Sequence, residues 1–340
     1  MTVPALPAAP PARVRRLHPD SLSPAVLDTV NRGAAVAPVE AAVTELIGPG
    51  AVACFQGLLT NDIETPGDGA FLYGALLTPK GMIVVEGWAG RTGAAVRYTV
   101  PGEGRDALLA LLARSVPPRL ARTVDRSADL AVLRLAGPRA AEIARTAGLP
   151  VPTEPGRAAQ TDDVEIARPA NGAPFALQLT APADRTPDLQ ARLTDAGALA
   201  SPAALELHRV LAGWPRLGAE VDAKTIPQEV RYDEVGGVSY TKGCYTGQET
   251  VSRLHFRGHA NRLLRGLAFD APPEARDPLP VTLEDRDVGR VTTLVPFPDG
   301  RCIGLAVLRR EAVPGMTVRA GGTDARVIDL PFSLARLEPA

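Results

Sequence analysis

The run KGCYTGQE at residues 242–249, inside the longer stretch 232–259, gathers side chains that the rest of the chain uses sparingly. Three of the 37 basic residues are lysines (Lys80, Lys224 and Lys242), so nearly every other cation is arginine. The same stretch holds Cys244, Tyr232, Tyr240, Tyr245, His255 and His259, in a chain with three cysteines, five tyrosines and four histidines. Lysine is a compact point charge whose pKa moves with its surroundings, whereas arginine is a planar fork that stays charged. A lysine two residues from a cysteine is therefore the first place to look for chemistry. Residues 236–241 read as extended, Gly247 closes the loop, and residues 248–254 can form a helix with Glu249 in its first turn. A cysteine ahead of a helix N-terminus and beside an ammonium is favoured as thiolate. The competing reading of Cys244 is a small side chain in a tight turn.

Bulk properties narrow the classes. A chain of 340 residues is long enough for two or three domains. At 45% hydrophobic and 22% charged it has the composition of an ordinary globular protein. A formal net charge of −1 supplies no global field to recruit nucleic acid or anionic membrane, so anion binding has to be local. Cys54, Cys244 and Cys302 are far apart and form no CxxC pair, which points to a reducing compartment and against a zinc ribbon. No run of 18 apolar residues marks a membrane span. Residues 1–19, rich in proline and alanine, are expected to be a disordered tail.

Along the chain, residues 20–46 read as weakly helical with breaks at Pro24 and Pro38. Residues 54–62 read as a short helix or turn closing on Asn61 and Asp62, both good turn formers. Stretches 69–77, 82–88 and 94–100, with short turns between, predict an antiparallel meander, followed by an amphipathic helix over 105–114. A second cycle predicts strands at 130–135, 165–168 and 175–180 and helices at 138–147 and 188–196. Ser201 and Pro202 open the clearest helix, which ends at Gly213. Beyond residue 261 six short strands within eighty residues describe a small closed or sandwich-like β domain. The mixture favours α+β over a doubly wound sheet, and no GxGxxG follows a strand. His255 and His259 have i, i+4 spacing, but Gly258 favours a loop there, so no metal site is predicted. Arg253, Arg257, Arg262 and Arg265 make a local cationic strip that can serve a carboxylate or phosphate, or simply face solvent.

KGCYTGQE followed by TVSR resembles the signature of the YgfZ family, folate-binding proteins that help make or maintain iron–sulfur clusters. The resemblance extends from about residue 38 to the C-terminus. It includes CFQGLLTND (54–62), LLTPKGMI (76–83), HRVLAGWPRLGAEV (208–221) and IPQEVRYDEVGGVSYTKGCYTGQETVSR (226–253). It implies an α+β fold shared with the aminomethyltransferase (T-protein) of glycine cleavage: a cloverleaf of mixed antiparallel lobes over 20–260, and a C-terminal β-barrel over 261–340. It implies tetrahydrofolate as ligand, with Asn61, Asp62, Tyr73, Arg209, Tyr245, Gln248, Glu249 and Arg253 as its contacts. Cys244 becomes the signature cysteine, a redox-active residue or transient ligand, with Lys242 as its electrostatic partner. Expected partners are iron–sulfur enzymes or cluster-assembly proteins, for a cytoplasmic monomer with no stably bound metal, nucleic acid or membrane contact.

Two departures from the transferase pattern accompany the resemblance. Where T-proteins carry two acids after the glycine pair, this chain has Val85 and Glu86. Where they carry a pterin-holding glutamate in Arg-Leu-Glu-Ala-Gly, it has Leu211. Val85 argues against aminomethyl transfer, because an apolar side chain cannot act as a base, and Leu211 removes a charge-assisted hydrogen bond that would hold and orient the pterin. The alternatives are an active folate-dependent one-carbon transferase and a non-catalytic folate-binding or interaction protein.

Overall fold

The computed structural model describes residues 13–274 and 276–333. Three sheets organise them. The predicted meander forms as Phe71–Leu77, Ile83–Thr92 and Ala95–Pro101, continued by Ala41–Ile47 and Arg122–Asp125 into a five-stranded antiparallel sheet. The second sheet has six strands, in the order Leu199–Ala200, Ala35–Val39, Leu130–Ala136, Leu177–Pro182, Val164–Arg168 and Arg157–Thr161. The two sheets meet where Ala158 N donates to Gly69 O at 2.8 Å and Phe71 N to Gly156 O at 2.8 Å.

The third sheet is the closed barrel. Its order is Arg286–Pro296, Leu279–Leu283, Thr317–Ala320, Thr323–Ile328, Arg262–Phe269 and Cys302–Arg309, and the last strand pairs back onto the first. These six match the six short strands read from the sequence. Closure leaves the small domain without an open edge.

The helix Pro202–Ala212 has the predicted ends. Ser201 Oγ accepts from Ala204 N at 3.2 Å, and Gly213 takes the left-handed conformation (φ 62°) that terminates it. Two local expectations fail. Most of residues 35–47 is strand rather than weak helix, because the alanines and valines are buried between packed layers where pleated packing outweighs helix propensity. Pro38 is tolerated because the short neighbour Leu199–Ala200 pairs only with Ala35 and Val36, so no partner strand needs its missing N–H. The stretch 1–19 expected as a disordered tail also carries structure in its described part. Residues 1–12 lie outside the described residues, but Arg15–Arg16 pairs in parallel with Thr293 and Leu294 of the barrel.

Candidate functional site

Two motifs that stand far apart in the sequence, 54–62 and the loop ahead of residue 248, are stitched together in space. Lys242 is buried, and its Nζ donates to Gln56 O (2.6 Å), Leu59 O (2.6 Å) and Asn61 O (2.9 Å). It also lies 5.1 Å from the centre of the Tyr245 ring. Thr246 N donates to Gly57 O, Ser239 N to Thr60 O, and Thr60 Oγ1 to Gly237 O. The loop 236–246 is thereby laced onto the segment 56–61. Burial lowers the Lys242 pKa to about 8, opposed by the carboxylates of Asp62 and Glu64, so the group is still charged at pH 7.

Lys242 therefore spends its three donors on carbonyls and does not donate to the Cys244 thiol. Cys244 is exposed, with no hydrogen-bond partner among the described residues. The predicted helix follows as Gln248–Arg257, one turn longer than expected, with Gly247 (φ 84°) before it.

The remaining sequence candidates fall into three places. Asn61 donates through Nδ2 to Tyr73 O and Gly236 O, both at 2.8 Å, and accepts from Asp62 N. Asp62 closes an Asx turn by accepting from Glu64 N, Thr65 N and Gln56 Nε2. Burial raises the Asp62 pKa, but the hydrogen bonds from Thr65, Gln56 and Glu64 outweigh it and leave a net lowering. Tyr245 packs its ring under Lys242 with its hydroxyl buried and unpartnered. Gln248, Glu249 and Arg253 sit on the following helix and line neither of the cavities described next. Arg209 lines the first of the cavities described next, but at the junction with the barrel Glu206, Glu220, Thr293 Oγ1 and Trp214 O take up its guanidinium.

Two cavities lie on either side of a stacked tryptophan pair, Trp88 and Trp214 (centroids 5.6 Å apart, planes at 15°), and both residues line both cavities. The first, of about 280 Å³, adds Phe175, Glu86, Arg134 and Arg216. The second, of about 380 Å³, opens beside Asn61, Phe71 and Tyr73 near the loop at Gly236.

In the first cavity Glu86 and Arg134 supply opposite charges without pairing directly. Arg134 Nε donates to Gln178 Oε1 at 3.1 Å, and its guanidinium lies 4.4 Å from the Phe175 ring centre. Burial lowers its pKa to about 10, and the Glu86 carboxylate opposes that shift. Glu86 accepts from Leu217 N at 3.1 Å, and burial raises its pKa. The Tyr73 hydroxyl lies close enough to the Glu86 carboxylate for each to influence the ionisation of the other, and Tyr232 donates to the Tyr73 hydroxyl at 3.1 Å. A chain of polar contacts thus links Tyr232, Tyr73 and Glu86 beside the tryptophan pair.

This arrangement corrects the reading of Val85. Successive strand residues face opposite sides, so in Ile83–Thr92 the residues Glu86 and Trp88 share the cavity face while Val85 turns into the core. An apolar Val85 takes nothing from the cavity, and the acid that reaches it is present. Leu211 packs with Leu264, Ile328 and Phe332 against the barrel and lines neither cavity. Sequence reading missed Glu86, Arg134, Trp88, Trp214 and Phe175. The period-two alternation of the strand carried the signal for Glu86 and Trp88, while the other three converge only through tertiary packing.

Comparison with known proteins agrees with this architecture. Residues 29–153 match the family model described as the GCVT N-terminal domain. Over 138 residues the chain is 36% identical to the tRNA-modifying protein YgfZ of Vibrio vulnificus strain CMCP6, covering 38% of this chain and 42% of that one. Over 156 residues it is 31% identical to the protein of that name from Aliivibrio fischeri, covering 44% and 48%. Each match thus spans less than half the length of the curated relative. Among solved structures, the crystal structure of glycine cleavage system aminomethyltransferase T from Bartonella henselae superimposes with a TM-score of 0.76 at 19% identity, over 91% of this chain and 88% of that one.

Proposed function

Starting from a chain related in sequence to the YgfZ proteins and built on the aminomethyltransferase T fold, we propose that it binds a reduced folate in the cavity beside Trp88 and Trp214, and that its exposed Cys244 loop assists iron–sulfur proteins. The cavity carries the reading. It offers flat aromatic walls, a buried carboxylate at Glu86 and a guanidinium at Arg134. A pterin ring presents adjacent N–H donors on one edge and a carbonyl acceptor, which is the complement of that pair of poles. A volume of about 280 Å³ suits the ring, with the rest of the molecule extending outward.

In this reading Trp88, Trp214 and Phe175 exclude water from the ring, and Glu86 and Arg134 fix its orientation. When bound, the folate supplies a one-carbon carrier. Lys242 holds the loop that presents Cys244 to a partner, leaving the thiol free to act as a nucleophile or transient metal ligand. The curated relatives are called tRNA-modifying, and an iron–sulfur enzyme that modifies tRNA is a client class that joins their name to this reading.

A second reading, folate-dependent one-carbon transfer, gains support from Glu86. A buried acid with a raised pKa beside Tyr73 is placed to hold or move a proton at the carrier.

Thermal melting with and without tetrahydrofolate tests the binding. A ligand that binds only the native state raises the midpoint by mass action, and Glu86→Gln should blunt the rise. Both tryptophans of the chain sit in the stack, so their fluorescence should change with the same titration. An unchanged midpoint and spectrum would remove the folate reading. In cells lacking the protein, Cys244→Ala restoring cluster-enzyme activity as well as wild type would remove the role of the loop. Methylenetetrahydrofolate formed from an aminomethyl carrier would promote the second reading.

A further inference from the structure

The helix Gln248–Arg257 turns a face outward that neither cavity uses. Phe256 on that face is 68% exposed. Its ring is braced nearly at right angles by His255 (centroids 4.8 Å, planes 88°) and Tyr240 (5.9 Å, 71°). Those two are themselves stacked 3.7 Å apart. Asp233 fixes the pair, accepting from the Tyr240 hydroxyl and bonding His255 Nδ1 at 3.2 Å. An apolar ring left this open buries little of its surface, yet two neighbouring rings hold it in place.

Cations lie on the same helix and beside its two ends. Arg253 and Arg257 lie one turn apart on the same helix, both exposed and without an ion pair among the described residues. Exposed Lys80 comes alongside because Gly81 packs against Thr250 in the first turn of the helix. Exposed His259 follows the helix end. The other two arginines of the strip are occupied, Arg262 by Glu229 and Arg265 by Asp329. The exposed acids at the face are Asp233, engaged with His255 and Tyr240, and Glu249 on the helix itself, and neither forms an ion pair with Arg253 or Arg257.

We propose that this face docks single-stranded RNA, with a base stacked on Phe256 and backbone phosphates held by Arg253, Arg257 and Lys80. A braced, exposed aromatic ring among unpaired cations is the pairing that single strands use, since every base has a face to stack and every nucleotide a phosphate. An acidic peptide would use the cations and leave the ring without a purpose. A duplex would hide its bases from the ring. The near-zero net charge of the chain removes a global field but not a local one. None of these residues lines a cavity, so the inference stands or falls independently of folate binding.

A short fluorescein-labelled oligouridylate, titrated with the full chain at several salt concentrations and followed by anisotropy, tests it. Phe256→Ala should weaken binding about tenfold while Phe256→Trp retains it. The double variant Arg253→Gln, Arg257→Gln should flatten the dependence of log affinity on log salt by about 1.4, at roughly 0.7 per phosphate contact. Unchanged melting midpoints establish that these surface variants fold. No binding at low salt, or full affinity in Phe256→Ala, would overturn the proposal. Poly-L-glutamate displacing the RNA at equal charge concentration would reassign the face to an acidic protein.

Discussion

Three backbone carbonyls converge on Lys242 Nζ, and only a tetrahedral ammonium on a flexible stem meets all three. Lys242→Met should cost about 2–3 kcal/mol in urea denaturation, because buried acceptors are left unmade. Lys242→Arg should not restore the loss, since a planar fork cannot reach three converging oxygens. Glu86 makes the opposite prediction. Burial raises its pKa above the ordinary 4.5, so the folded state resists ionisation more than the unfolded chain. The penalty is absent below pH 4.5, grows as pH rises past that value, and is complete above the folded-state pKa. Glu86→Gln should therefore melt higher than wild type at neutral pH, and the gap should close as pH falls. A variant that melts lower at pH 7 would show that the carboxylate is a net stabiliser.

Elements explain why separate motifs travel together. Gly247, before the helix Gln248–Arg257, sits at φ 84°, and a Cβ there would meet Thr78 O at 2.6 Å and Gly81 Cα at 3.1 Å. Gly81 in the TPKG turn also has φ 84°, and a Cβ there would meet Thr250 Cβ at 2.8 Å. The two turns interlock through their glycines, so the loop of Cys244 rests on the hairpin whose second strand carries Glu86. Gly247→Ala should destabilise by about 1–3 kcal/mol from backbone strain, before the clash is added. Chemical denaturation measures it, and an effect below about 0.5 kcal/mol would mean the loop relocates freely. The strand Ile83–Thr92 shows how much an element adds to residue identity. That Val85 is apolar was plain from the sequence, but its consequence depended on the face it occupies.

At the scale of the whole molecule, the lobes are fastened to the barrel by charges in a buried interface. Arg209 from the helix Pro202–Ala212 bonds Glu206 twice and Glu220 Oε2 at 2.9 Å, while Thr292 and Thr293 of the barrel donate to Glu220 Oε1. Glu206 is held down to about 2: burial pushes it up, and Arg209, Arg216 and Arg15 together pull it below its usual range. Arg209→Leu should cost about 3–5 kcal/mol, since removing one member leaves Glu220 charged and buried. Differential scanning calorimetry should then resolve loosened coupling between lobes and barrel, and a variant as stable as wild type would show that the network is dispensable. The same junction positions Trp214, whose carbonyl accepts from Arg209 at 2.6 Å, so the cavity wall depends on the lobe–barrel contact.

By itself the sequence determined the six barrel strands, the meander, the capped helix 202–212 and the motif loop, because each is written in short-range periodicity, turn glycines and caps. It also marked Lys242 and Cys244 as unusual by their rarity. Tertiary structure alone decided what they do. Lys242 is turned inward by carbonyls that lie some 180 residues earlier in the chain, and no local pattern encodes such a contact. The strands of residues 35–47 likewise follow from burial between layers, which local propensity misread as weak helix. Glu86 and Trp88 on one strand, Arg134 on another and Trp214 after the helix Pro202–Ala212 come from three separate segments, and only the packing of lobes around a shared centre makes them one cavity.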